Sequence, residues 1–182
     1  MKPTPQLLLT VFFCSCISLK SCTLSDNDPK PKTELEKLPP ATQEGKNTFG
    51  CLVNGKAWFT TSTTNAFGVY QLGHLAIGGK LFDPFQSIGI DLLESVDYPE
   101  ISTGNYILIS TGPFSPEVSF FASSTCYYGS VENLDLLSGE LIITKFDKVN
   151  FTISGLFEFT AIHNGCDTLV ITDGRFDIMY AP

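Results

Sequence analysis

The segment from Ile153 to Ala161 places an apolar residue at every odd position, with mostly polar residues between them. Successive side chains of a β-strand point to opposite faces of a sheet, so this period of two predicts a strand with one buried face. Such a strand must cover its apolar face with further strands or with a second sheet. The pattern therefore favours a β architecture.

Short turn signals separate the candidate strands. Asn54-Gly55 lies between two apolar runs and predicts a tight hairpin, because both residues tolerate the positive φ angles of a type I′ turn. Asn164-Gly165 and Asp173-Gly174 repeat this signal near the end of the chain. They predict a C-terminal meander with strands over 141–146, 151–162, 167–172 and 175–180.

Further candidate strands occupy the middle of the chain, where Gly and Pro fill the gaps. They cover 69–72, 75–81, 87–93, 105–110 and 118–122. Apart from one turn-like stretch near 131–137, no segment has a helical period. Roughly ten short strands with frequent turns are typical of sandwiches and barrels. We expect an all-β fold, either a single antiparallel β-sandwich or a flattened β-barrel.

The N-terminus has the pattern of an export signal. Lys2 precedes an apolar run over 7–19, which is shorter than the roughly 20 residues of a membrane-spanning helix. The sequence Leu19-Lys20-Ser21-Cys22 then resembles the end of bacterial lipoprotein signals, and this resemblance implies lipid attachment at Cys22. Cys16 is the alternative lipidated residue, and a plainly cleaved signal or an uncleaved anchor is the alternative to lipid attachment.

These signals predict three segments: a signal peptide over 1–21, a flexible tether over 22–47 and a β domain over 48–182. The tether assignment depends on a polar stretch with several prolines, a composition typical of extended linkers. We expect the mature protein in the cell envelope, anchored by lipid to the outer membrane on its periplasmic face or at the cell surface.

The charge of the chain restricts its partners. Acidic residues number 19 and basic residues 11, which gives a net charge of −8. Nucleic-acid binding needs Lys and Arg to neutralise phosphates, so we expect no nucleic-acid partner. Electrostatic docking on anionic lipid is disfavoured in the same way, and we expect contact with the membrane only through the lipid anchor.

Three cysteines fall in the expected domain, and an exported protein can form disulfides. An odd number leaves at least one thiol free. Cys126 and Cys166 lie beside turn signals, and we expect a disulfide between them. Cys51 lies in an apolar strand, where a buried free cysteine behaves as a small hydrophobic residue.

The sequence predicts no metal site and no cofactor. There is no CxxC pair, and neither His74 nor His163 has a ligand-like spacing to the cysteines. Asp167, Asp173 and Asp177 could supply oxygen ligands to Ca²⁺, but the further oxygens of an EF-hand-like loop are absent. We interpret Asp173 as part of a tight turn.

The acidic residues form no recognisable catalytic pair. Asp91, Glu94 and Asp97 are the densest group, and we interpret them as solvated loop charges rather than as the carboxylates of a glycosidase. The chain has no G-x-S-x-G motif. We therefore expect no enzymatic activity.

Aromatic residues near turns are the candidates for ligand contacts. Exposed rings at the end of a β domain suit stacking on sugars or on apolar surfaces. We predict that Phe82, Phe85, Tyr127 and Tyr128 bind the ligand. The candidate partners are a glycan, a small apolar ligand and an envelope protein.

Two parts of the domain carry a resemblance. The opening reads LPPATQEGKNTFGCLVNGKAW over 38–58, and the ending contains GELIITKFD, ISGLFEF and ITDGRFD. Both resemble a family of Bacteroidetes lipoproteins of unknown function. The resemblance implies a small exported β domain and supplies no activity.

We therefore expect a membrane-anchored exported lipoprotein whose β domain binds a ligand or a partner without catalysis. The alternative is a structural or accessory subunit of an envelope complex, joined through an exposed sheet edge. A hydrolase is the class that the sequence supports least.

Overall fold

The fold is nearly all β. A computed structural model describes residues 30–95, 99–109, 116–123, 126–129 and 134–182. These residues contain one short helix and eleven strands. The bounds are α1 Glu34–Lys37, β1 Thr48–Val53, β2 Lys56–Thr60, β3 Ala66–Gln71, β4 His74–Phe82, β5 Phe85–Leu93, β6 Gly104–Ile107, β7 Glu117–Ser123, β8 Cys126–Tyr128, β9 Leu134–Asp147, β10 Thr152–His163 and β11 Leu169–Met179.

The strands form two antiparallel sheets, which we call the six-stranded and the five-stranded sheet. Their orders are β2-β1-β11-β10-β9-β6 and β3-β4-β5-β7-β8. The sheets do not close into a barrel, so the sandwich is the correct one of the two expected architectures. Strands β9, β10 and β11 are neighbours in sequence and in the sheet, which confirms a C-terminal meander.

The two Asn-Gly signals form turns. Asn54 and Gly55 have φ angles of 47° and 79° and connect β1 to β2. Gly165 has a φ of 83° and lies in the turn between β10 and β11. In both places the chain uses the left-handed conformation that these residues tolerate.

The predicted turn at Asp173-Gly174 is wrong. Strand β11 continues through both residues, and its pairing with β1 and β10 shifts register there, which defines a β-bulge. Asp173 has a φ of 53°. A Cβ on Gly174 would lie 2.3 Å from the carbonyl oxygen of Phe157, so only glycine fits. Bulges and tight turns both use positive φ, which is why the sequence signal is the same.

The core lies between the inner faces of the two sheets. Alternate residues of the long strands point inward, as the period of two predicts. The rings of Phe49 and Phe157 stack there, with centroids 4.9 Å apart. Other fully buried side chains include Leu75, Ile77, Ile88, Ile90, Leu141, Ile143, Ile153 and Phe176.

One covalent bond joins the two sheets. Cys126 in β8 is bonded to Cys166 in the turn after β10, and their Cα atoms are 5.8 Å apart. This is the pair that the sequence favoured. Cys51 is free and buried, and burial raises the pKa of its thiol, which keeps it protonated and unreactive.

Residues 33–47, which we call the strap, lie against the domain. Thr33 caps helix α1, and a carboxylate oxygen of Glu34 accepts a hydrogen bond from the Ala57 amide of β2 at 2.9 Å. Leu38 is buried. The flexible tether expected over 22–47 therefore extends too far, because these contacts fix the chain from Thr33 onward.

Residues 1–29 lie outside the described residues, together with the expected signal peptide, Cys16 and Cys22. Within the described ranges, the structure contains no helix with the length and apolar character needed to cross a membrane.

Candidate functional site: an exposed aromatic cluster

The outer face of the five-stranded sheet brings aromatic residues from four strands together. Antiparallel pairing sets Phe82 of β4 opposite Phe85 of β5, across the turn that joins them. Strand β7 follows β5 in the sheet, and β8 follows β7. Phe121 of β7 is opposite Tyr127 of β8. Because these four residues point away from the core, their rings meet on one surface, which we call the aromatic cluster.

The rings of the aromatic cluster touch in series. The centroid distances are 5.9 Å for Phe82 and Phe85, 5.5 Å for Phe85 and Phe121, and 6.1 Å for Phe121 and Tyr127. The rings are tilted by 50° to 57° from one another. Phe82, Phe85 and Tyr127 are 64%, 45% and 44% exposed. Burying such rings is favourable, so a surface that exposes several together indicates a binding site.

The structure brings together three of the four predicted ligand-binding residues, Phe82, Phe85 and Tyr127. Tyr128 is instead a core residue: it is buried against Phe120, and its hydroxyl donates to the carbonyl oxygen of Asp167. Consecutive strand residues point to opposite faces, so Tyr127 and Tyr128 cannot both face a ligand.

Sequence reasoning missed Phe121. The adjacent pair Phe120-Phe121 lies in a predicted strand, and alternation requires one of the two rings to face outward. That signal was sufficient to suggest an exposed ring. The neighbours of this ring depend on the pairing of β7 with β5 and β8, which the sequence does not specify.

Small and polar side chains continue the outer face beyond the aromatic cluster. Ser87 is opposite Phe121, and Gly89 is opposite Ser119. Asp91 follows along β5, and one of its carboxylate oxygens lies 3.1 Å from Nε2 of His74. We call Ser87, Ser119, Asp91 and His74 the polar extension.

Asp91 is a partly buried carboxyl group within the polar extension. Burial raises the pKa of this carboxyl, and the neighbouring His74 offsets only part of that effect. The carboxylate is 38% exposed and its imidazole partner 51%. Both can therefore exchange hydrogen bonds with a bound molecule.

The border of the site toward β3 carries one cation. Nζ of Lys80 lies 4.9 Å from the centroid of the Phe67 ring, a cation–π contact. Phe67 in turn covers Gly78, because a Cβ on that glycine would lie 2.5 Å from the ring. Lys80 and Phe67 therefore form the border of the candidate site on the side of β3.

The outer face of the six-stranded sheet has a hollow next to the β-bulge, which is a second candidate site. It measures about 270 Å³, and its lining includes Glu140, Leu156, Glu158, Asp173 and Arg175. Glu140 and Glu158 are directly opposite each other on β9 and β10, and like charges in this position destabilise a sheet. The hollow lacks the series of exposed rings that marks the other face.

Asp91 is not the solvated loop charge that the sequence suggested, because it lies within β5 and is partly buried. Asp91 pairs with His74, whereas Glu94 accepts hydrogen bonds from the Tyr70 hydroxyl at 2.7 Å and the Ile101 amide at 3.1 Å. Asp97 lies outside the described residues.

The candidate calcium ligands also serve other purposes. Asp177 is buried and hydrogen-bonded to the strap, and Asp173 is part of the bulge. Among the residues that the structure describes, no group of three His, Cys, Asp or Glu side chains could hold a metal ion.

Comparisons of the chain with protein-family models, with curated proteins and with solved structures find no match.

Proposed function

We propose that this protein is an exported, lipid-anchored envelope lipoprotein whose β domain binds a neutral glycan chain without catalysis. The aromatic cluster is the observation that carries this proposal. Aromatic rings offer flat apolar faces to the C–H groups of sugars, and a tyrosine hydroxyl adds a polar contact at the edge. Three rings with at least 44% exposure supply that surface.

The openness of the site favours a glycan over a small apolar ligand. Pockets for small apolar molecules are concave and cover most of the ligand. The aromatic cluster instead lies on an outer sheet face, and the Phe82 ring is 64% exposed. A chain of sugars can lie across such a face and bury one side only.

The polar extension supports a ligand with many hydroxyl groups. From Phe85 to Asp91 the strand advances about 20 Å, at roughly 3.3 Å per residue. Along this path the serine hydroxyls, the Asp91 carboxylate and the His74 ring offer donors and acceptors to sugar hydroxyls. The net charge of −8 favours a neutral glycan over an anionic one.

The envelope location is supported by the short apolar run followed by Cys22 and by the resemblance to Bacteroidetes lipoproteins. We expect Cys22→Ala to release the protein from membranes, because the acyl chains supply the membrane affinity. Cys16→Ala is the matched control and should leave the protein in the membrane fraction. If only Cys16→Ala releases the protein, Cys16 is the lipidated residue. If both variants stay in the membrane fraction, the result opposes lipid anchoring.

The alternative role, an accessory subunit joined through a sheet edge, receives less support at two of the four sheet edges, β2 and β3. The β2 edge donates the Ala57 amide to Glu34 of the strap. The β3 edge forms a bridge with Ala181 near the C-terminus. Strands that are already bonded in this way offer few free groups to a partner strand.

The test is titration calorimetry of the domain over 32–182 with a panel of neutral hexasaccharides: cellohexaose, maltohexaose, xylohexaose and mannohexaose. We expect one of these classes to bind. Phe82→Ala and Tyr127→Ala should each weaken binding about three- to tenfold, the range for one aromatic contact.

Phe59→Ala is the matched control, because Phe59 has 39% exposure on the other sheet. It should bind the sugar as the wild type does. Binding that survives both changes in the aromatic cluster, or no binding across the panel, would overturn the proposed function.

A further inference from the structure

Strand β8 carries two consecutive tyrosines with different tasks. Tyr127 faces outward into the aromatic cluster, and Tyr128 faces inward. The strand has only three residues and lies at the edge of its sheet, with β7 as its single neighbour. Such a short edge strand has little stability of its own.

Two bonds tie β8 to the other sheet. Cys126 forms the disulfide with Cys166, and the Tyr128 hydroxyl donates to the carbonyl of Asp167, one residue further along the same segment. The Tyr128 ring also packs edge-on against His163, with centroids 6.1 Å apart. The disulfide, the hydroxyl bond and this ring contact therefore all join β8 to the segment over 163–167.

The Tyr127 ring depends on the position of β8. It lies close over Gly129, because a Cβ on that glycine would be 2.7 Å from the ring. It also contacts the Phe121 ring, with the two centroids 6.1 Å apart. If β8 left the sheet edge, Tyr127 would leave the aromatic cluster with it.

We propose that the Cys126–Cys166 disulfide and the Tyr128 hydroxyl are positioning groups of the ligand site, which hold the Tyr127 ring in the aromatic cluster. This inference rests on the proposed function. The disulfide acts from the opposite sheet and touches no ligand. It limits the positions that β8 can sample, so Tyr127 is already in place when a ligand arrives.

The first experiment measures the positioning without any ligand. Amide hydrogen exchange of residues 126–129 is compared between the wild type and the Cys126→Ser/Cys166→Ser variant, with β5 as the internal reference. We expect exchange at 126–129 to rise about tenfold or more while β5 changes little, since local opening frees an edge before the core. Unchanged exchange at 126–129 would overturn the proposal.

Tyr128→Phe is a milder variant, which keeps the ring and the disulfide and removes only the hydroxyl. It should raise exchange at 126–129 in the same direction, and it carries the test if the cysteine variant does not fold. Tyr106→Phe is the matched control, because the Tyr106 hydroxyl bonds Ser102 on the six-stranded side. Equal effects of Tyr128→Phe and Tyr106→Phe would overturn the assignment.

The second experiment is a double-mutant cycle on the affinity for the hexasaccharide that the wild type binds. The disulfide variant should lose about as much affinity as Tyr127→Ala, three- to tenfold, and adding Tyr127→Ala to it should cost little more. Phe82→Ala should weaken both backgrounds by the same factor. Full additivity with Tyr127→Ala would overturn the proposal. If the wild type binds none of the sugars, the proposed function fails while the exchange result still decides the positioning.

Discussion

Asp177 is the residue on which the join between strap and sheet depends. Its carboxylate is fully buried and accepts hydrogen bonds from the hydroxyls of Thr42 and Ser154 at 2.6 and 2.8 Å. The backbone amides of residues 44–46 donate three more, at 2.7 to 3.1 Å. Burial alone would raise the pKa of Asp177, but these donors outweigh it and lower the pKa to about 2.

This carboxylate makes stability depend on pH in the acid range. Since the folded pKa is about 2 and the ordinary value is 3.8, its contribution is complete above the ordinary value and is lost as pH falls toward the folded one. The contribution is about 2 kcal/mol. Asp177→Asn should lower the free energy of unfolding near neutral pH by about that amount and flatten its fall with acid. Urea unfolding at several pH values measures both effects.

Asp173→Asn is the control for this experiment. Asp173 is exposed at the bulge, and asparagine tolerates its positive φ as well as aspartate does. Its stability and pH dependence should match the wild type. An Asp177→Asn protein that is as stable as the wild type near neutral pH would contradict the role given to this carboxylate.

The carboxyl group of Asp91 should make ligand binding depend on pH. Burial raises its pKa above the ordinary 3.8, so acidification protonates it earlier than an ordinary aspartate and removes an acceptor for sugar hydroxyls. Asp91→Asn should weaken hexasaccharide binding about fivefold near neutral pH, the value of one hydrogen bond of about 1 kcal/mol. On acidification the wild type should lose affinity for the hexasaccharide, so that its affinity approaches that of the Asp91→Asn variant.

Calorimetry at neutral and acid pH provides the measurement. Glu158→Gln replaces a carboxylate on the outer face of the other sheet and should bind as the wild type does at both values. A wild-type affinity that stays constant on acidification would remove Asp91 from the ligand site.

At the scale of elements, the strap is part of the folded domain. It supplies four of the five donors to Asp177, and it places Leu38 in a buried position. A domain that begins at Thr48 would retain only Ser154 as a donor to this carboxylate. Removing the strap takes away these donors and exposes the apolar surface that Leu38 covers, and both changes destabilise the domain.

We therefore expect the domain over 48–182 to unfold at a much lower urea concentration than the domain over 32–182. Full-length strap carrying Leu35→Ala is the control, since Leu35 is exposed and its truncation should cost little. Equal urea midpoints for the domains over 32–182 and 48–182 would support the original prediction of a flexible tether over 22–47.

Sequence patterns predict the elements whose cause is local. Alternation and the Asn-Gly pairs suffice for the meander and for the β1–β2 hairpin. The turn predicted at Asp173-Gly174 is wrong because a positive φ angle is typical of a β-bulge as well as of a turn. The sequence does not reveal the strap, because its proline-bearing composition resembles that of a linker. The Asp177 carboxylate that holds it in place lies more than 130 residues away in the sequence. Three of the four rings in the aromatic cluster are predictable, because Phe82, Phe85 and Tyr127 lie beside turn signals. Phe121 joins them only through strand register.

At the scale of the whole molecule, the two outer faces differ in chemistry. One carries exposed rings that lead into serines, Asp91 and His74, and the other carries Glu140 opposite Glu158 beside the bulge. A ligand that lies along the first face should gain affinity with length until it spans the distance from Phe85 to Asp91. Isotherms for a disaccharide, a tetrasaccharide and a hexasaccharide of one series should show this increase.

The Asp91→Asn variant separates length from composition. It should gain less affinity than the wild type between the shorter and the longer sugars, because the added units reach the polar extension. An equal gain in both proteins would confine the ligand to the aromatic cluster.

The order of strands also governs when the chain can fold. Strand β1 comes early in the domain and pairs with β11, which comes late in it. Ala181 forms a bridge with Val69 at the edge strand β3. Contacts between distant parts of a chain form slowly, because loop closure must come first. The six-stranded sheet therefore stays open until β11 has been made. For a protein that the proposed export would thread unfolded across a membrane, this delay keeps the chain translocation-competent throughout its synthesis.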